Sequence, residues 1–162
     1  MIKVLALMLA SGPLAAQESG QMLDLFSAHC LPHIEAGAAI SPELEPASDA
    51  VVASLIDGAA GRAWVAENPA LALFDYDDVQ SCGVFGLGVN ADEFVTAATS
   101  FATDAGMIEG PAGQGRTQFL KQREDGEVTL LVVMAVPGPD VAALNAMSLP
   151  AGDWSNTVLG EN

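Results

Sequence analysis

His29 and His33 stand four residues apart, a spacing that puts two imidazoles on one face of a helix. Asp24, Cys30 and Glu35 lie close by as further ligands for a transition metal. Pro32 falls between the two histidines and disturbs the turn that would align them, so no metal is assigned, and His29 and His33 remain the only candidates. The densest acidic run is Asp75-Tyr76-Asp77-Asp78, whose carboxylates could hold Ca²⁺. Gln80 and Gly86 stand where a calcium loop needs glycine and glutamate, which leaves a solvated hairpin loop as the expectation. With only two histidines and no Gly-x-Ser-x-Gly elbow, nucleophilic hydrolysis has no support.

Two glycine patterns touch on nucleotide chemistry. Gly110, Gly115, Arg116 and Thr117 have P-loop spacing with arginine in place of lysine, but a helix precedes them and an alternating strand follows, the reverse of what a phosphate cradle requires. Gly83, Gly86 and Gly88 run in the order opposite to a dinucleotide fingerprint, and Asp92 and Glu93 in the following helical turn would repel a pyrophosphate. The expectation is close packing at these glycines and no cofactor. Arg116, Lys121 and Arg123 crowd one strand, with Lys121 and Arg123 on the face that carries Phe119. Arg116, Phe119, Lys121 and Arg123 are therefore the expected partner patch on an otherwise negative surface.

The elements that would position these residues follow from periodicity. Met22, Leu23, Phe26 and Cys30 form one helical stripe that Pro32 bends or ends. Ser41 to Pro46 can hold only a turn of helix, Ser48 caps a second helix through Ile56, and Gly58 stops it. Arg62–Val65 and Leu71–Phe74 read as strands around Asn68-Pro69, and Ser81–Val89 as a third. Asn90 with Glu93 caps the best-defined helix, whose stripe is Phe94, Val95, Ala98, Phe101 and Ala102 before Gly106. Arg116–Glu124 and Glu127–Val136 form a hairpin about a two-residue Asp125-Gly126 turn. Val141–Met147 reads as a last helical turn and 151–162 as a weakly structured tail. No internal repeat is visible. The fold expected is α+β, an antiparallel sheet of about four strands with helices on one face.

The first sixteen residues follow export grammar: Lys3, an apolar Val4 to Ala10, a Gly12-Pro13 break, and small residues ending at Ala16, where cleavage is expected. Residues 17–150 then form a single domain. Removal of Lys3 takes the formal charge from −16 to −17, which opposes nucleic acid and anionic lipid as partners. No later stretch is long enough to span a membrane as a helix. In an oxidising periplasm or outside the cell, Cys30 and Cys82 have one possible pairing, which staples helix to sheet. The resulting expectation is a monomeric exported protein, a non-catalytic module that binds an unidentified periplasmic protein or small ligand. The alternative is a small metal-dependent or carboxylate-based enzyme using His29, His33 or Asp75–Asp78.

Overall fold

A computed structural model describes residues 14–40, 44–56, 59–77, 79–111, 113 and 115–160. The leader reading falls mostly on residues outside that set, as do Gly58 and Asp78. The chain opens with α1 (Leu14–Leu25), a π-helical turn (Phe26–Cys30) and α2 (Leu31–Ala36) in unbroken succession. Pro32 therefore does not end the helical run. Leu31 donates to the Phe26 carbonyl five residues back, and this widened turn comes just before Pro32, which has no N–H for an α-helical bond. The wide turn has a second consequence. Residues every four positions drift around an ordinary α-helix, yet Met22, Phe26, Cys30 and Ile34 all stay on one fully buried line. Gly37, at φ 64°, ends the run.

Eight strands form one antiparallel sheet, not the four expected. They are β1 (Glu45–Pro46), β2 (Gly61–Val65), β3 (Leu71–Tyr76), β4 (Ser81–Leu87), β5 (Ile108–Glu109), β6 (Arg116–Gln122), β7 (Glu127–Val136) and β8 (Val141–Pro150). Their order, β1-β2-β3-β4-β8-β7-β6-β5, joins two four-stranded meanders through β4 and β8 at the centre. The short β1 and β5 cap the two edges; the turn of helix expected over Ser41 to Pro46 lies partly outside the described residues, and its end, Glu45–Pro46, is strand. The β6–β7 connection is a three-residue loop, corrected from two. Gly126 donates to the Arg123 carbonyl, Arg123 donates to Glu127, and only Gly126 of the Asp125-Gly126 pair takes a positive φ, 84°.

The largest correction is β8. Val141-Ala-Ala-Leu-Asn-Ala-Met has the composition of a helix, yet it lies between β4 and β7, hydrogen-bonded along both edges. Its alanines leave room above the sheet for the helices: Ala142, Leu144 and Ala146 face the main core with Phe26, Phe94, Phe119 and Leu131. Over that face pack α1, α2 and α4 (Ala91–Asp104), the last capped by Asn90, whose side chain accepts from Asp92 and Glu93. Full burial of Met22, Phe26 and Ile34 contributes roughly 1.5–3 kcal/mol each.

The helices are not confined to that face. On the other, Ile56 and Leu55 of α3 (Asp49–Ile56) cover Ala63 and Phe74, while Val158 and Leu159 of α5 (Asp153–Leu159) cover Leu120, Val128, Leu130 and Val132. Much of the tail expected to be weakly structured is therefore a helix, Asp153–Leu159, and what orders it is this apolar contact, which local sequence does not reveal. Of the glycines expected to permit close packing, Gly83 and Gly86 do so, whereas Gly88 takes a positive φ of 75° with no close neighbour. A Cβ on Gly83 would stand 2.4 Å from the Phe74 ring and 2.8 Å from the Leu144 carbonyl, and one on Gly86 would stand 2.6 Å from Met22 Sδ. Gly83→Ala is expected to cost about 1–3 kcal/mol by overpacking, read as a lower midpoint in urea. An unchanged midpoint would show that β3 and β4 can part without cost.

Candidate functional site

Asp75 is not in a solvated loop. It sits within β3, 3% exposed, and accepts from Arg62 Nη2 of β2 at 2.7 Å. His33 of α2 reaches the same carboxylate, with Nε2 3.4 Å from Oδ1, while its Nδ1 donates to the Ala38 carbonyl at 2.7 Å. The cluster has the residue types of acid–base chemistry, with the imidazole Nδ1 held by the Ala38 carbonyl and the carboxylate held by Arg62. It fastens α2 to the sheet. Among the described residues no group of three His, Cys, Asp or Glu side chains converges as a metal site.

Of the expected partner patch, Phe119 is buried beneath the helices and cannot touch a partner. Arg123 is 12% exposed and fully engaged. It donates to the Ile34 carbonyl at 2.9 Å, to Ser148 Oγ at 3.0 Å, and to the carboxylates of Asp125 and Glu127. Hydrogen bonding to Asp125 raises the Arg123 pKa, and the guanidinium together with the Glu127 N–H holds the Asp125 carboxyl below its usual range. Arg116 is exposed and Lys121 half-buried; Lys121 and Arg123 line one pocket with Glu35 and Asp125, and buried Phe119 is not part of that lining. The Gly110–Gly115 segment connects antiparallel neighbours β5 and β6 and opens no helix, which removes the geometry of a phosphate cradle.

A cleft of about 690 Å³ lies elsewhere, between α1 and the β2–β3 turn. Its floor is the outer margin of the main core: Leu25, Leu44, Ala66 and Leu71. Asn68 shapes one wall, since its side chain accepts from Ala70 N–H and donates to Gln21 Oε1 at 3.0 Å, which ties the turn to α1. Exposed Asp24 and Glu67 contribute carboxylates from α1 and from the turn respectively. No imidazole, thiol, hydroxyl or amine lines the cleft among the described residues.

Sequence reasoning named Asp24 only as a possible metal ligand and missed Gln21, Glu67 and Asn68 as members of one site. The available signal was the Asn68-Pro69 turn, which placed two polar side chains at one sheet end but did not say that α1 lies across it. No family model, no curated protein and no solved structure matches the chain.

Proposed function

We propose that this protein is a small exported, non-catalytic binding module, and that its ligand site is the cleft between α1 and the β2–β3 turn. The observation that carries the reading is the lining of that cleft: an aliphatic floor, two amides and two exposed carboxylates, with no imidazole, thiol or hydroxyl beside them among the described residues. A buried disulfide, and the absence among the described residues of a helix long and apolar enough to cross a membrane, support export. The chemistry suited to the cleft is a cation on an apolar body. Its alkyl part covers Leu25 and Leu71, and its charge lies against Asp24 and Glu67 in a strongly negative field.

Octylammonium, compared with neutral octanol and anionic octanoate, tests this by isothermal titration. The expected order is cation over neutral over anion, with cation binding weakened about 3- to 10-fold in the Asp24→Asn, Glu67→Gln double variant, because each exposed pairing is worth up to about 1 kcal/mol. Ala28→Trp, which fills the cleft from the exposed side of the π-helical turn, should remove binding. Equal affinity for all three probes, or binding that survives both variants, would overturn the assignment.

A further inference from the structure

The second sheet face carries two apolar clusters, one under α3 and one under α5, and they do not meet. Between them the middle strands are uncovered, and the gap is a groove of about 310 Å³. Phe74 and Tyr76 of β3, packed edge to face at 5.6 Å, and Phe85 of β4 form its aromatic side. Met134 of β7 and Ala143 of β8 complete the floor, and Val136, 52% exposed, stands at the rim. Gly83 keeps the groove open, because its missing Cβ is what lets the Phe74 ring lie against the strand.

Asn145 of β8 makes this more than an uncovered apolar face. Buried Ser81 donates to its Oδ1 at 3.0 Å, and that bond fixes the amide so that the NH₂ group is turned away from Ser81. The NH₂ has no hydrogen-bond partner among the described residues, and Asn145 lines the groove. In a chain with a formal charge of −16, no charged side chain lines this groove among the described residues.

We infer that the groove is a second binding site, for a compact neutral aromatic molecule carrying one hydrogen-bond acceptor such as a carbonyl. The rings and Met134 bury its apolar body, and the Asn145 amide donates to its acceptor. A volume near the lower end of the roughly 300–1,000 Å³ usual for small-molecule sites fits such a guest, and walls formed by Leu55 and Val141 leave little of the flat area that a second copy of the chain would need. This site is independent of the cleft beside α1, and neither assignment rests on the other.

The test is fluorescence titration of the intact oxidised protein with a neutral dialkylaminonaphthyl ketone dye, with naphthalene and anionic anilinonaphthalene sulfonate as comparators. Saturable ketone binding with a blue-shifted emission is expected, with the sulfonate at least about tenfold weaker. Asn145→Asp keeps the shape and the acceptor for Ser81 but loses the donor. It should weaken the ketone about 5- to 10-fold, the scale of one hydrogen bond, and naphthalene less. Val136→Glu, at an exposed rim position that folding tolerates, should weaken both neutral probes. Equal binding of ketone and sulfonate, or ketone affinity indifferent to both substitutions, would overturn the proposal. So would dye release on concentration-dependent dimerisation, which would assign the groove to a second copy. Octylammonium binding unchanged in Val136→Glu would separate failure here from failure at the cleft.

Discussion

The Cys30→Ala, Cys82→Ala double variant is expected to lose about 4 kcal/mol of stability, the loop-closure entropy that a cross-link over 52 residues removes from the unfolded chain. For a domain of this size, that corresponds to a melting temperature lower by roughly 8–16 °C. The bond joins the π-helical turn to β4, and both sulfurs are fully buried, so its loss frees the helical run from the strand at the sheet centre. Reductant should act slowly on the folded protein and quickly once it is unfolded, because a thiolate reaches Cys82 only when the helices lift. Thermal melts of oxidised, reduced and alanine-substituted protein check both statements. Coincident melts would show that the staple contributes nothing to the fold.

Arg123→Ala should cost about 2–3 kcal/mol, whereas Arg116→Ala and Lys121→Ala should each fall within about 0.5 kcal/mol of the parent. The three cations lie on or just beyond β6, but only Arg123 is nearly buried and bonded to the Ile34 carbonyl of α2. Truncation leaves that carbonyl with a single long contact from Gln80, and leaves Ser148 and two carboxylates without their cation. The same clamp predicts a pH response. The Asp125 carboxyl is held below its ordinary value of 3.8 by Arg123 first and by the Glu127 N–H second. Its contribution is therefore complete above that value and fades as pH falls through the lower folded-state value. In Arg123→Ala this part of the acid limb should flatten. Urea midpoints for the three variants between neutral pH and pH 2 measure both effects, and equal losses at all three positions would sink the clamp.

Legibility in the sequence followed the range of the interactions involved. The buried line Met22, Phe26 and Cys30 and the Asn90 cap of α4 are set by neighbours within a few residues, so periodicity and capping chemistry revealed them. The disulfide followed from there being two cysteines and no others. Phe119 was misplaced for the complementary reason: strand alternation put it on the same face as Lys121 and Arg123, but could not say that α4 packs over part of that face.

Cys30 and Cys82 and the Asn90 cap are determined by the sequence alone, because chemistry over a few bonds, or a single possible pairing, leaves no alternative, whereas Asp125-Gly126 marks the place of a turn but not its length. Tertiary structure decided the rest. The helix-like composition of Val141–Met147 becomes the central strand only because β4 and β7 offer it two hydrogen-bonded edges and the helices need its small side chains. Asp75 is buried only because Arg62 and His33 come to it from β2 and α2, and the cleft and the groove exist only where distant elements meet or fail to meet. Those contacts join residues far apart in the chain, and their free energy comes from surfaces that local sequence cannot bring together.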